Sequence, residues 1–111
     1  MDNDFPPSVR TLLYDFVKKV PAGKVTTYGA LARSLQQLGF AITPRWVGQM
    51  MAECPNDVPW QRVVNRQGEC SNFSAAPLQR ALLVAEGVEF SEDARIDLHR
   101  YLWNFEQPSL F

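Results

Sequence analysis

The stretch TYGALARSLQQLGFAITPRWVGQMMA, residues 27–52, decides the fold. Its apolar positions Tyr28, Leu31, Ala32 and Leu35 recur at helical spacing and predict a helix over 27–38. Thr26 or Thr27 is placed to cap it, and Gly39 to stop it. The link Phe40-Ala41-Ile42 is short and apolar, so it should be half-buried. Thr43-Pro44 reads as an N-cap followed by proline at the first helical position, where the missing N–H costs nothing. A third helix then runs from Pro44 to about Ala52, with Val47, Met50 and Met51 inward. Two helices joined by a tight apolar turn are the units of a helix-turn-helix. Periodicity alone does not separate it from similar corners in other small helical proteins.

Working outward, Val9, Leu12, Leu13, Phe16, Val17 and Val20 form a complete helical stripe before Pro21-Ala22-Gly23, which predicts a first helix over 8–20. Beyond residue 52 the helical pattern breaks. Arg62–Val64 and Glu69–Ser71 read as short strands around Asn65-Arg66-Gln67-Gly68, with Gly68 supplying the turn. Ala76-Pro77 opens a fourth helix, with Leu78, Ala81, Leu82 and Ala85 inward and Gly87 beyond its end. Val88–Phe90 reads as extended, and Ile96, Leu98, Tyr101, Leu102, Trp103 and Phe105 should fold residues 91–111 back onto the core. The whole, residues 1–111, reads as one mostly α domain with a small β element.

Composition bounds the chemistry. Hydrophobic residues make up 46% and charged residues 21%, which is a globular rather than a disordered balance. Two cysteines and one histidine argue against a protein-only zinc site, and no other cofactor is called for. Net charge is -1, but it is unevenly laid out. Residues 10–66 hold eight basic groups against three acids, whereas 67–111 hold three against seven. That layout permits a positive face on a nearly neutral protein. No apolar run reaches 18 residues, so no membrane partner is expected. The start, MDNDFPPSV, lacks the basic and apolar regions of a secretory signal. A cytoplasmic monomer is therefore expected, with Cys54 and Cys70 as free thiols, although their pairing is conceivable on sequence alone.

Three segments carry a family resemblance: PAGKVTTYGALA (21–32), TPRWVGQMM (43–51) and VPWQRVVNRQGECSNFS (58–74), with LLVAEGV (82–88) following. Over residues 6–90 the chain resembles the helix-turn-helix domain of the O6-alkylguanine-DNA alkyltransferases, a winged-helix-like fold. It is more similar still to the alkyltransferase-like proteins, which keep that domain and lack the methyl-accepting cysteine. Where the alkyltransferases read Pro-Cys-His-Arg-Val, this chain reads Pro59-Trp60-Gln61-Arg62-Val63. Trp60 thus occupies the nucleophile position and Gln61 that of its base, which implies no enzyme.

The resemblance implies non-enzymatic binding of O6-alkylguanine in double-stranded DNA, entered from the minor groove with the damaged nucleotide rotated outward. Arg45 would fill the gap left in the duplex, a task suited to a guanidinium that stacks and donates hydrogen bonds. Thr26, Thr27, Tyr28, Gly29, Arg45, Trp46, Gly48 and Gln49 are the implied DNA contacts. Tyr28, Met51, Trp60, Val63, Phe73 and Ser74 are the implied lining of the lesion pocket, and Arg62 ties that loop to the fold. Glu53 and Asp57 suit a DNA-facing loop only if they point away from it. Trp60, Tyr28 and Arg45 are expected around one concavity. A handover to nucleotide excision repair proteins is implied as well. The rival reading is a sequence-specific transcription factor. It calls for polar base-reading side chains, in which the stretch Trp46, Val47, Gly48, Gln49 and Met50 is poor.

Overall fold

The computed structural model describes residues 7–71 and 73–105. Three helices, α1 (Pro7–Lys18), α2 (Tyr28–Gln37) and α3 (Pro44–Met51), enclose the larger of two cores. Val9, Leu13 and Val17 from α1 meet Leu31, Ala32 and Leu35 from α2 and Val47, Met50 and Met51 from α3. All nine are buried, as the helical stripes require. The Tyr14 hydroxyl donates to the Met50 carbonyl at 2.7 Å, fastening α1 to the last turn of α3.

Both helices of the corner are capped by threonine. Thr27 Oγ1 accepts from the Ala30 N–H at 3.0 Å and Thr43 Oγ1 from the Trp46 N–H at 3.3 Å. Each cap is worth about 1 kcal/mol. The link between the helices is tied by Gln36, whose amide donates to the Ile42 carbonyl at 2.7 Å. Ile42 is buried and Phe40 half-buried, while Ala41 faces solvent.

The β element differs from the hairpin expected from sequence. Val63–Val64 (β2) pairs with Thr26–Thr27 (β1), in parallel, with Thr26 opposite Val63 and Thr27 opposite Val64. A parallel pair needs a long crossover, here supplied by α2 and α3. The turn at 65–68 does form, with the Gly68 N–H donating to the Asn65 carbonyl at 2.9 Å. Residues 69–71 then leave it without pairing as a strand. At the turn the C-terminal segment comes in, with the Ile96 N–H donating to the Gly68 carbonyl at 2.8 Å. At φ +78°, with a Cβ that would run into the Ile96 carbonyl, position 68 accepts only glycine.

The second core lies beyond the strands, where Val25, Val64, Leu83, Val88, Ile96 and Tyr101 pack together. Helix α4 (Ala76–Ala85) reaches it by a face turned one residue round from the one expected, with Leu82 of the expected set half-buried. Leu78 and Val84 are each 55% exposed, and Ala81 and Ala85 also face solvent, whereas Gln79 and Leu83 are buried. Hydrogen bonding overrides the apolar pattern, because the Gln79 amide satisfies backbone carbonyls on the segment beneath it. A last short helix, α5 (Leu98–Tyr101), leads to Leu102, which bridges Val25, and to Phe105, whose ring meets Phe16 edge-on at 5.4 Å.

Candidate nucleic-acid interface and base cavity

Segment 58–64 is the floor of the site, and its shape follows from its proline. Pro59 starts a single 3-10 turn, Trp60–Arg62, which passes directly into β2. The turn is clamped from outside. Arg62 donates through Nε and Nη2 to the two oxygens of Glu86, both at 3.0 Å, and through Nη1 to the Val20 carbonyl at 2.8 Å. Gln61 Nε2 donates to the same carboxylate at 2.8 Å, and the Gly23 N–H reaches it at 3.4 Å. Burial works to raise the Glu86 carboxyl, but the Arg62 and Gln61 hydrogen bonds outweigh it and hold it below the usual carboxylate range. This bidentate latch fixes the direction in which Trp60 leaves the turn.

Above the floor is a cavity of about 250 Å³ lined by Tyr28, Gly48, Met51, Ala52, Trp60, Val63, Ser71 and Gln79. Four of the six residues expected to wall a lesion pocket, Tyr28, Met51, Trp60 and Val63, therefore border one hollow. Ser74 is exposed in the turn Phe73–Ala75 and does not line it. Ser71, nearer the preceding turn, stands in the wall instead. The side chain of Phe73 lies outside the described part of the structure.

The expected DNA contacts divide sharply by exposure. Gly29, Arg45 and Gln49 face solvent. Arg45 does not line the cavity, contrary to expectation, because it projects from the first turn of α3. It precedes the wall residue Gly48 by three positions and so stands on the same side of the helix. Trp46 is half-buried against the larger core. Thr26 needs correction as a phosphate contact: it is 0% exposed within β1, shut off from any backbone approaching from outside. Thr27 is buried too, its oxygen engaged in the α2 cap. The protein itself does not require glycine at two positions of this surface. A Cβ on Gly29 would approach Thr27 Oγ1 only to 3.9 Å, and one on Gly48 would approach the Tyr28 ring only to 4.0 Å.

The acids of the 53–57 loop turn away from this surface. Glu53 pairs with Arg10 and Asp57 with Lys18, each at 3.1 Å, both on α1. Among the described basic residues of 10–66, Lys19, Arg33, Arg45 and Arg66 are exposed and have no ion pair, Lys19 lying over the Phe16 ring.

Neither cysteine borders the base cavity. Cys54 packs against the larger core, and burial pushes its thiol up, with Asp57 adding to the rise. Cys70 is also raised by burial, partly opposed by Arg80. It lines a different and larger hollow, about 560 Å³, on the far side of Ser71 with Arg80 and Phe90. Size does not identify the site, for that larger hollow contains none of Tyr28, Arg45 and Trp60. Among the described residues no group of His, Cys, Asp or Glu side chains is arranged to hold a metal, and no helix is long and apolar enough to cross a membrane.

Sequence reasoning missed three wall residues, Ala52, Ser71 and Gln79. Ala52 was foreseen only as the end of its helix. Gln79 carried a faint signal, a polar residue four positions before Leu83 in an otherwise apolar run.

Comparison with known proteins accords with this geometry. The chain is 39% identical over 108 residues to the DNA base-flipping protein of Escherichia coli K12, covering 94% of this chain and 78% of that one. It is 37% identical over 102 residues to alkyltransferase-like protein 1 of Schizosaccharomyces pombe, covering 84% and 92%. Its fold matches the crystal structure of S. pombe Atl1 in complex with damaged DNA containing O6-carboxymethylguanine. The TM-score is 0.76 at 33% identity, over 90% of this chain and 98% of that one. Residues 8–88 match the DNA-binding domain of 6-O-methylguanine DNA methyltransferase, and the chain belongs to that family.

Proposed function

We propose that this protein binds O6-alkylguanine in double-stranded DNA, holds the damaged nucleotide outside the helix, and leaves it chemically unchanged. One observation carries the reading: Tyr28, Met51, Trp60 and Val63 enclose a cavity that neither cysteine enters. Thiolate attack needs sulfur at reacting distance, with a lowered pKa or a base beside it. Here both thiols are raised and sit elsewhere, and the Gln61 amide is bound to Glu86. An indole in the floor offers apolar surface to an alkylated base instead. The likeness to an alkyltransferase-like protein solved with damaged DNA supports the same conclusion.

In this mechanism α3 enters the minor groove, Arg45 takes the place of the rotated nucleotide, and Tyr28 stands beside its phosphate. The minor groove carries little sequence information, which suits a reader of damage. Two energies favour the lesion. Alkylation weakens pairing and lowers the cost of extrusion. The alkyl group then loses apolar surface to the cavity, worth about 0.8 kcal/mol per buried CH₂. The protein acts in the cytoplasm as a monomer, and its bound complex marks the lesion for nucleotide excision repair proteins.

The test is a titration of one duplex with and without a single O6-methylguanine, followed by mass analysis of both components. Tighter binding of the damaged duplex, with protein and lesion masses unchanged, is the expected result. Equal affinity for the two duplexes refutes lesion sensing, and a protein that gains the mass of the alkyl group is an alkyltransferase.

A further inference from the structure

Helix α4 buries Gln79 and Leu83 and turns an apolar face outward. Pro77, Leu78, Ala81, Val84 and Ala85 are all exposed and none is charged. At the helical turn angle these five fall within about 120° of the circumference, one unbroken strip. A solvated helix face normally carries polar and charged residues, and an apolar strip rimmed by polar groups marks a surface made to be covered. The strip runs into the hollow of about 560 Å³, because Pro77 lines it too. Arg80 and Phe90 line the same hollow, with the guanidinium carbon 5.0 Å from the ring centroid. Asp93 stands in its wall and Glu92 precedes it; both are exposed, and neither has an ion pair among the described residues. Their loop is closed tightly, the Ser91 N–H donating to the Arg95 carbonyl at 2.8 Å and the Ala94 N–H to the Ser91 carbonyl at 2.9 Å. Glu69, the other acid of the lining, is already paired with Arg95.

We infer that this strip and hollow form the docking surface for a second protein that presents a basic, amphipathic segment. The segment lays its apolar side on α4, seats an aromatic ring in the hollow, and sets lysine or arginine against Asp93 and Glu92. An aromatic anchor fits because Arg80 is exposed, so its guanidinium can take a second ring on the face that Phe90 does not cover. Charge selects among occupants. Residues 67–111 hold three basic groups against seven acids, and the two carboxylates at this rim are unpaired. A nucleic acid would bring phosphates against them and gain nothing from an apolar helix face. A symmetric pair of copies would bring the same carboxylates together. A cationic partner meets neither objection. Ser71 is the one residue shared with the lining of the base cavity, so the partner sits beyond it while DNA occupies the other side. The inference does not rest on lesion recognition, and peptide binding is measured without DNA.

Three synthetic peptides serve as probes: an amphipathic helix of leucine and lysine with one central tryptophan, a twin with glutamate at every lysine, and a twin with alanine for the tryptophan. Each is titrated into the isotope-labelled protein, with amide shifts locating the contact and fluorescence anisotropy giving the affinity. The lysine peptide should shift the amides of 77–85 and 90–95, and both twins should bind about tenfold more weakly or worse. Leu78→Gln/Val84→Gln removes the strip at two exposed positions, adds no charge and keeps good helix formers. It should weaken the lysine peptide about tenfold. Asp93→Asn should weaken it about two- to fivefold, the range of an exposed ion pair, and carries the test should the double variant not fold. Both variants should bind the O6-methylguanine duplex as wild type does, since none of these positions borders the base cavity. Lysine-peptide shifts elsewhere, equal affinity for the lysine and glutamate peptides, or no binding at about 1 mM overturns the proposal. So does binding that survives both variants. A duplex that shifts the amides of this face gives it to DNA, and a dimer that the double variant abolishes gives it to a second copy; either result overturns the proposal too.

Discussion

Removing the Glu86 carboxylate should unlatch the cavity floor without touching its lining. Glu86→Ala deletes both oxygens that receive Arg62, along with the partners of Gln61 and the Gly23 N–H. The Arg62 charge stays behind, held only by the Val20 carbonyl. Breaking a fully buried ion pair from one side costs about 3–5 kcal/mol. This pair is partly open, with side-chain exposures of 18% for Arg62 and 15% for Glu86, so the cost should be discounted to about 2–3 kcal/mol. In a domain of this size that lowers Tm by about 10 °C or more. The internal comparison is Glu89→Ala, which breaks the Arg100 pair at exposures of 61% and 73% and should cost under about 1 kcal/mol.

Urea unfolding of both variants, with an Arg62→Ala/Glu86→Ala cycle to isolate the coupling, measures the difference. The latch also has a pH signature. Because the folded Glu86 carboxyl lies below its ordinary value, its stabilisation is complete above the unfolded pKa of about 4.3. It is lost as pH falls through the folded value. Glu86→Gln should therefore lose less Tm than wild type between about pH 5 and about pH 3. Damaged-duplex affinity should fall in Glu86→Ala, even under conditions where the variant is fully folded, because Trp60 is no longer aimed. If Glu86→Ala is as mild as Glu89→Ala, and their coupling energies match, the latch is a surface ion pair and the reasoning fails.

Three further outcomes follow from the interface. Arg45→Ala should weaken damaged-duplex binding by about 1–3 kcal/mol, more than Lys24→Ala, whose ammonium already reaches the Arg100 carbonyl; equal small losses count against gap filling. With Arg33, Arg45, Arg66 and Lys24 as the candidate phosphate contacts, log K against log salt should slope near about -3; a slope near zero means that these cations meet no phosphate. Trp60→Cys should not transfer alkyl groups at an appreciable rate, since the new thiol finds the Gln61 amide tied to Glu86 rather than a base; rapid adduct formation on residue 60 by mass analysis refutes this.

Helix boundaries were legible because each is set by residues adjacent in sequence. Thr27 and Thr43 cap, Pro44 starts, and the stripes of α1, α2 and α3 point to one core. The partner of β2 was not legible in that way. Val63–Val64 has a turn immediately after it, which favours a hairpin locally, yet β1 lies 37 positions before it in register. Across the turn only the Asn65 N–H reaches the Glu69 carbonyl, and the strand pairing itself goes to distant Thr26 and Thr27. The face of α4 was misjudged for a related reason. Apolar periodicity prices each side chain by hydrophobicity, whereas the buried face here is selected by two carbonyls that need a donor.

That misjudgement bears on how the site works. A leucine-lined α4 would bury more apolar surface but would leave the Gln61 and Val63 carbonyls of the floor unmet. Gln79 satisfies them from above while Glu86, seven residues further along the same helical segment, holds Gln61 and Arg62 from the side. The turn that presents Trp60 is therefore fixed at both its backbone and its side chains by one element. In the alkyltransferases that these motifs resemble, the same turn must present a nucleophile in a single geometry. Here it presents an indole, and the rigidity serves recognition: a floor that does not move can exclude a base by shape, which does not survive if the wall adapts. Trp60 and Gln61 stand where a nucleophile and its base would, and the polar contacts that restrain them are those a reactive site would need.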